Sequence, residues 1–360
     1  MEKWSGALEG MVIDKQFWKN KRVFLTGHTG FKGSWLSLWL QHLGVNLTGY
    51  ALQPPTNPAI FEIAGVADNM DSQLGDIRDL KQLTRTMQQA KPEIVIHMAA
   101  QSLVRDSYDD PVGTYSTNIM GTVNLFDAAR RVSSVKAVLN VTSDKCYENR
   151  EWSRGYIETD TMGGFDPYSS SKGCAELVTS AYRQSFFNAS GIGLASARAG
   201  NVIGGGDWAS NRLVPDAIRA FMRDEPLMIR NPMAVRPWQH VIEPLSGYLM
   251  LCQKLYQQPE NFSEGWNFGP LNNEARPVSY IADQIVKNWE GNARWGLDKN
   301  SHPHEAGHLT LDCSKAGESL EWEPVWELDR ALKETVFWYK AWQQKENMHN
   351  FTIRQIDAYS

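Results

Sequence analysis

The 360-residue sequence predicts an α/β protein with a doubly wound parallel sheet and a smaller, interleaved C-terminal lobe. Short apolar segments alternate with amphipathic segments through about residue 200, which is typical of repeated strand–helix–strand units with right-handed crossovers. Beyond that point the alternation loosens, and glycines and prolines mark loops. We expect a sheet domain at 12–200 with returning segments near 236–270, and a lobe at 201–235 and 271–350.

The elements of the sheet domain follow from local hydrophobic patterns. Strands are predicted at 23–26, 45–52, 93–97, 137–141 and 194–197, and helices at 34–43, 79–90, 117–132 and 168–187. The run at 93–97 is apolar throughout, as in a strand covered on both faces. The helix at 34–43 is apolar on most of its surface and should therefore be largely buried. Segments near 236–245 and 265–270 are expected to return to the sheet.

The composition is that of a soluble globular protein, with 42% hydrophobic and 21% charged residues. The net charge of -5 and the lack of a basic tract argue against a nucleic-acid partner. No apolar stretch is long enough to span a membrane, and the first ten residues lack the apolar core of a signal peptide. Four widely spaced cysteines form no CxxC pair, so we expect reduced thiols and a cytoplasmic location.

A glycine-rich turn lies between the first predicted strand and the first predicted helix. It reads Gly27-His28-Thr29-Gly30-Phe31-Lys32-Gly33. Glycines at this place let backbone N–H groups approach a pyrophosphate at a helix N-terminus. A plain turn is the alternative, but the strand–turn–helix context favours a Rossmann-type site for NAD. The candidate cofactor-binding residues here are Gly27, His28, Gly30, Phe31 and Gly33.

The second predicted strand lacks the acidic residue that often binds the adenosine ribose. It ends in Tyr50-Ala51-Leu52-Gln53, so the ribose partner must come from elsewhere. No arginine is present there to bind a 2′-phosphate, which favours NAD over NADP. Asp76, followed by Ile77 after the third strand, is a candidate partner for the adenine amino group.

Tyr168 and Lys172 form the most specific catalytic pattern. They lie four residues apart at the start of a predicted helix and therefore share one face. An ammonium beside a phenol lowers the tyrosine pKa and makes a base for an alcohol proton. Such a pair alone is commonly a surface contact, but this one follows a strand that ends in Thr142-Ser143.

Taken together, these motifs resemble the extended short-chain dehydrogenase/reductase family over residues 22–270. The motifs are the glycine turn, His97-Met98-Ala99-Ala100-Gln101, Asn118, Ser143 and the Tyr168/Lys172 pair. The resemblance implies that Ala99, Ala100, Gln101 and Asn118, with Tyr168 and Lys172, contact NAD. It also implies that Ser143 takes part in catalysis.

The segment 141–147 is similar to the active-site strand end of nucleotide-sugar 4,6-dehydratases. Ser143-Asp144-Lys145 stands where the thymidine-nucleotide enzymes carry Thr-Asp-Glu, and it resembles the CDP-glucose branch. Segments 198–208 and 236–241 are also similar to that branch. The resemblance implies CDP-glucose as the substrate and a place in the deoxyhexose supply for lipopolysaccharide.

The implied reaction assigns roles to these side chains. Tyr168 takes the proton of the sugar 4-hydroxyl while hydride passes to NAD, water is lost across C5 and C6, and hydride returns to C6. Asp144 is the candidate acid, which requires a raised pKa. Lys145 is either the base for the C5 proton or a charged stabiliser of the enolate, and the sequence leaves both roles open.

Further candidates concern the diphosphate of the substrate and a metal. Asn201 and Arg236 are candidate diphosphate ligands, with Arg212 a weaker one, although a surface salt bridge is an equal alternative for Arg236. His302, His304 and His308 have a spacing that suits no common metal motif, so no metal is expected.

The sequence leaves two rival functions to weigh, and it predicts an oligomer. A 4-epimerase or reductase needs Tyr168 and Lys172 but not an acid/base pair such as Asp144-Lys145, and a dinucleotide sensor needs none of these. The helices near 112–132 and 168–187 are apolar on more than one face. The resemblance implies that they pair across a four-helix interface in a homodimer or homotetramer.

Overall fold

The computed structural model describes residues 13–270, 275–298 and 309–360. The strands in these ranges are β1 Arg22–Thr26, β2 Asn46–Ala51, β3 Asp71–Leu74, β4 Ile94–His97, β5 Ala137–Val141, β6 Gly193–Ala199, β7 Asn201–Ile203, β8 Leu227–Ile229, β9 Val235–Arg236, β10 Trp238–His240, β11 Gly265–Phe268, β12 Arg276–Pro277 and β13 Trp295–Leu297.

The helices in the same ranges are α1 Lys15–Trp18, α2 Phe31–His42, α3 Ile60–Ile63, α4 Leu80–Ala90, α5 Val104–Asp109, α6 Pro111–Tyr115, α7 Gly121–Ala129, α8 Pro167–Tyr182, α9 Asn188–Ser190, α10 Leu213–Met222, α11 Ile242–Gln257, α12 Pro259–Phe262, α13 Val278–Trp289, α14 Ser314–Leu320, α15 Leu328–Gln343 and α16 Met348–Asp357. Short 3₁₀ helices span Val66–Asn69 and Asp144–Cys146, and π-helical turns span Ser116–Met120 and Arg183–Phe187. No helix within the described ranges has the length and apolarity needed to cross a membrane.

Seven strands form one parallel sheet in the order β11-β6-β5-β4-β1-β2-β3. From β1 the chain runs outward to β3, returns to β4 beside β1, and then runs outward to β11. In an open sheet of this kind the carboxyl ends of the strands on either side of such a reversal leave a crevice for ligands. The predicted doubly wound fold is confirmed.

Hydrophobic layers cover both faces of the sheet. On one face α2 contributes Trp35, Leu36, Leu38 and Trp39, all buried, to the larger core. The opposite face is covered mainly by α4 and α7, where Phe126 belongs to a second core. Because α2 is buried on almost every side, its N-terminus is held rigidly at the end of β1.

Some element boundaries differ from the sequence expectation. The helix expected at 34–43 begins earlier, at Phe31, because Gly30 is extended and serves as its N-cap. The helix expected at 117–132 belongs to a run that begins at Pro111 and includes a π-helical turn.

The segment at 265–270 does return to the sheet, as β11 beside β6. The expectation for 236–245 was wrong. Gly200 separates β7 from β6, and Trp238–His240 pairs with β7 in a two-stranded sheet outside the main one. The domain boundaries stay a prediction, and residues 12, 271–274 and 299–308 lie outside the described residues.

Candidate active site

A cleft of about 1530 Å³ opens at the carboxyl edge of the sheet. It runs past the ends of β1, β4, β5 and β6 and reaches residues 206–216 and 227–231. The expected site residues that line it are Gly27, Gly30, Phe31, Gly33, Asp76, Ile77, Ala99, Ala100, Ser143, Asp144, Lys145, Tyr168, Lys172, Asn201, Arg212 and Arg236. The fold thus brings residues far apart in sequence around one cavity.

The glycine turn has a shape that only glycine allows. Gly27 has a φ of +77°, and a Cβ there would lie 2.7 Å from the backbone nitrogen of Ala99. A Cβ at Gly33 would lie 2.0 Å from the carbonyl oxygen of Gly27. The backbone of the turn and the N-terminus of α2 therefore line the cleft closely, and this arrangement fits a dinucleotide pyrophosphate.

Three expected cofactor-binding residues lie behind the wall of the cleft rather than on it. The His28 imidazole is buried 2.8 Å from the Ser72 hydroxyl, and burial lowers its pKa to about 4. Asn118 accepts a hydrogen bond from Gln101 N at 2.9 Å and donates one to the Ser171 hydroxyl at 2.9 Å. His28, Gln101 and Asn118 hold the wall in shape, and Asn118 joins the loop after β4 to α8.

The end of the cleft near β2 and β3 contains an ion pair that the sequence pattern did not suggest. Arg78 donates from Nε to both carboxylate oxygens of Asp76 at 3.0 Å, and these hydrogen bonds lower the Asp76 pKa. The Tyr50 hydroxyl donates to the Asp76 carbonyl at 3.1 Å. Any adenine contact to the Asp76 carboxylate would therefore share it with Arg78.

Tyr168 and Lys172 lie in the first turns of α8. Asp166 caps this helix by accepting from Ser169 N at 2.9 Å, and Pro167 occupies its first turn. Both Tyr168 and Lys172 are buried, and Lys172 Nζ lies 6.0 Å from the centre of the Tyr168 ring. The cap and the burial fix the two side chains at the end of the cleft nearest β5.

Burial sets the ionisation of this pair. It raises the pKa of Tyr168 to about 12, against a hydrogen bond with Ser143 that lowers it. It also lowers the pKa of Lys172 to about 8, against the Glu176 carboxylate, which raises it. In the free protein the net shift of the Tyr168 pKa is upward, opposite in sign to the shift expected from the Lys172 charge, because loss of solvation outweighs the neighbouring groups that lower it.

Ser143, Asp144 and Lys145 follow β5 directly. The Ser143 hydroxyl accepts from Lys145 N at 3.2 Å and donates to Asp144 Oδ1 at 2.9 Å. Burial raises the pKa of Asp144, although the Lys145 ammonium and the Ser143 hydrogen bond oppose the rise. An acid role for Asp144 requires a raised pKa, and this is the direction of its shift. Lys145, the next residue, is only half-buried.

Lys32 is a charged residue of the cleft that the sequence reasoning missed. Its Nζ donates to the buried Tyr248 hydroxyl at 3.1 Å. Burial, and then the Lys172 charge, lower its pKa to about 7, while Asp144 raises it. A lysine in the first turn of an otherwise apolar buried helix was the available signal.

Positive side chains line the lobe end of the cleft. Arg212 pairs with Asp207 at 3.0 Å, and Asn201 and Arg236 lie on β7 and β9. Arg105 and Arg230 line the same cleft, and neither belongs to a recognisable motif. Several guanidinium groups around one cavity suit a diphosphate.

No cluster of metal-ligating side chains occurs in the part of the chain that the structure describes. The three histidines considered as ligands, at positions 302, 304 and 308, lie outside that part.

Known proteins share this architecture. The family model for GDP-mannose 4,6 dehydratase matches residues 24–335. A CDP-glucose 4,6-dehydratase from Salmonella typhimurium is 56% identical over 353 residues, which are 97% of this chain and 98% of that protein.

Two solved structures establish the fold independently. An epimerase from Methanothermobacter thermautotrophicus has a TM-score of 0.78 at 22% identity and covers 94% of this chain and 98% of its own. The dTDP-glucose 4,6-dehydratase from Bacillus anthracis, in complex with NAD, has a TM-score of 0.74 at 19% identity, with 91% and 98% covered. With the family model spanning most of the sequence, the chain belongs to the nucleotide-sugar 4,6-dehydratase family, within the extended short-chain dehydrogenases/reductases.

Proposed function

We propose that this protein is an NAD-dependent hydro-lyase that converts CDP-glucose to CDP-4-dehydro-6-deoxyglucose. The observation that carries the proposal is the placing of Asp144 and Lys145 in the same cleft as Tyr168 and Lys172. Oxidation and elimination each need their own proton-handling groups, and this cleft holds both sets. The high identity to a CDP-glucose 4,6-dehydratase supports CDP-glucose as the substrate.

NAD fits the wall made by Gly27, Gly30 and Gly33, with its pyrophosphate at the N-terminus of α2. When bound, NAD would supply the hydride acceptor for oxidation at C4 and the hydride donor for reduction at C6. Asp76, Ile77, Ala99 and Ala100 line the same side of the cleft and are proposed contacts. His28, Gln101 and Asn118 support this wall from behind.

Tyr168 is the proposed base for the sugar 4-hydroxyl. Its raised pKa means that the free protein carries the neutral phenol at pH 7. Positive charge must therefore favour the phenolate at the moment of reaction, and Lys172 and Arg212 are its proposed sources. The neighbouring Ser143 hydroxyl also lowers the pKa of the phenol.

Asp144 is the proposed acid for the departing 6-hydroxyl. Burial raises its pKa, which favours the protonated form that the step needs. Lys145, next in sequence, either removes the C5 proton or stabilises the enolate as an ammonium. Asn201, Arg212 and Arg236 are the proposed ligands of the diphosphate.

A panel of nucleotide sugars tests the proposal directly. The protein with NAD would be mixed with CDP-, dTDP-, UDP- and GDP-glucose, and 4-keto products would be detected in each. We expect product from CDP-glucose well above the other three. A 4-epimer in place of a 4-keto-6-deoxy sugar would contradict the proposal and support the rival epimerase activity.

We also propose a homodimer or homotetramer. Val112 on α6, Leu177 on α8 and Phe186 after it are 78%, 62% and 42% exposed, although all three are apolar. A partner surface that covers these neighbouring helices would bury them. Sedimentation that shows only monomer at micromolar concentration would contradict this assembly.

The proposed setting is the cytoplasm, in lipopolysaccharide biosynthesis. The four cysteines are free, which suits a reducing compartment. The proposed product is a 4-keto-6-deoxy sugar nucleotide, the chemical form from which deoxyhexoses of a cell surface are made.

A further inference from the structure

A buried ion pair lies directly beneath the proposed catalytic groups. Glu176 follows Lys172 by one helical turn on α8, and Arg198 lies on β6. Arg198 Nη2 is 2.8 Å from Glu176 Oε2, and their side chains are only 6% and 5% exposed. Glu176 lies outside the motifs that predicted the site, and Arg198, although it opens the segment 198–208, was not assigned a role there.

The Glu176 carboxylate connects α8 to two neighbouring strands. The Thr142 hydroxyl donates to Oε1 at 2.5 Å, and the Ser196 hydroxyl donates to Oε2 at 2.6 Å. Thr142 immediately precedes Ser143, so this carboxylate holds one end of the segment Ser143-Asp144-Lys145.

Arg198 holds the other end of the same segment. Its Nη1 donates to the Tyr147 hydroxyl at 2.7 Å and to the Glu158 carbonyl at 3.0 Å. The Tyr147 hydroxyl in turn donates to Asn267 Oδ1 on β11 at 2.8 Å. The proposed acid and base are therefore anchored on both sides by one ion pair.

Stability alone is a weak reason for such a pair. Removing two charges from water is costly, and apolar residues of similar volume often replace a buried pair with no loss of stability. The carboxylate has a second effect, on Lys172. Among the groups acting on Lys172, Glu176 most strongly opposes the burial that lowers its pKa.

The other titratable groups around Lys172 supply less negative charge. Cys146 also raises the Lys172 pKa, but less than Glu176 does, and burial raises the pKa of its own thiol well above the usual range, so it is neutral at pH 7. Burial lowers the pKa of His97 to about 3, so His97 is neutral as well. Tyr168 is a neutral phenol, and Lys32 carries positive charge when protonated.

We propose that Glu176 is a positioning residue for the dehydration. With Arg198 it anchors the segment Ser143-Asp144-Lys145, and its carboxylate, one helical turn from Lys172 on α8, supplies negative charge to that buried amine. This inference rests on the proposed function for its catalytic meaning, although the coupling between Glu176 and Lys172 can be measured without substrate.

The decisive variant is Glu176→Gln, which keeps the shape of the side chain and removes its charge. In the free protein, the acylation of Lys172 would be followed by peptide mass spectrometry as a function of pH. The midpoint of Lys172 reactivity should fall by about one pH unit, because the neutral amine becomes easier to form. The alkaline limb of kcat/KM with CDP-glucose should move in the same direction.

Two controls separate charge from structure. Glu176→Asp keeps the charge and should restore the wild-type midpoint even if kcat is reduced. Ser196→Ala removes one hydrogen bond to the carboxylate and keeps its charge, so its midpoint should also match the wild type.

If Glu176→Gln fails to fold, the double variant Glu176→Gln/Arg198→Gln, which also removes the guanidinium that Glu176 pairs with, carries the test. Its expected fall in the Lys172 midpoint is smaller, because a positive charge is lost as well. An unchanged Lys172 midpoint in a folded charge-removing variant would overturn the inference. Failure of wild-type protein to act on CDP-glucose would contradict the proposed function instead. The Lys172 acylation midpoint would not be affected by that failure, because it is measured without substrate.

Discussion

The wall of the cleft at the start of α2 is made mainly of backbone, whereas the wall between β5 and α8 is made of buried side chains. At the first wall, Gly27 and Gly33 leave no room for a Cβ. The groups that can contact a ligand there are peptide N–H groups. At the second, Tyr168, Lys172 and Asp144 are all buried, and each has a pKa shifted toward its neutral form.

This difference shows how the two halves of the site depend on the rest of the molecule. The first wall is shaped mainly by a short sequence in a tight turn, which His28, Gln101 and Asn118 support from behind. The second wall needs partners from several strands, including Glu176 and Arg198, because ionisation in a buried site depends on everything around it. Substitutions at the second wall should therefore change chemistry more than binding.

The largest effect is expected at Tyr168. Tyr168→Phe keeps the buried ring and removes the oxygen that takes the 4-hydroxyl proton. Turnover should fall by roughly two to four orders of magnitude, the range for loss of an acid–base group. Steady-state kinetics and calorimetric binding of CDP-glucose would check this, and binding should survive. Near-normal turnover would remove Tyr168 from the mechanism.

A large effect, confined to one step, is expected at Lys145. Lys145→Ala should lower dehydration by roughly a hundredfold, because the elimination loses its base or its charge stabilisation. Oxidation at C4 should still occur, so the near-ultraviolet absorbance of reduced cofactor should build up on the protein. Dehydration at the normal rate would assign the elimination to another residue.

A moderate effect, on binding rather than on chemistry, is expected at the lobe. Arg236→Gln should raise KM for CDP-glucose by roughly tenfold, in the range for loss of one charge-assisted contact, and leave kcat nearly unchanged. Arg85→Gln, at an exposed position on α4, is the matched control and should have no effect. An unchanged KM in Arg236→Gln would make Arg236 a structural residue.

The smallest effect is expected on stability, at Lys32. Its pKa is about 7 in the folded protein against 10.5 as the ordinary value, so the fold disfavours its charged form. Lys32→Met should therefore be more stable than wild type by on the order of 1–2 kcal/mol below about pH 7. The advantage should shrink as the pH rises from 7 toward 10, where the wild-type lysine is neutral in the folded state. Thermal unfolding at pH 6 and pH 9 would check this, and an equal advantage at both would contradict it.

Local patterns predicted much of the fold and part of the site. The buried strand at 137–141 and the turn at Gly27–Gly33 were predictable because each is specified by adjacent residues. The position of residues 236–245 could not be predicted from local patterns, because strand pairing there depends on where β7 leaves the sheet.

The electrostatics of the site could not be predicted from the sequence either, because they depend on contacts that form only in the folded chain. The pair Glu176–Arg198 joins residues 22 positions apart, and its burial is a property of the folded core. The net upward shift of the Tyr168 pKa could not be predicted because spacing gives the neighbouring charge but not the loss of solvent.

The central claim is that one cleft carries out both oxidation at C4 and reduction at C6. CDP-glucose with deuterium at C4 tests this claim most directly, with the product analysed by mass spectrometry and NMR. The label should appear at C6 of the 4-keto-6-deoxy product, and turnover in heavy water should place solvent deuterium at C5. Label returned to C4, or released in reduced cofactor in proportion to product, would contradict the account.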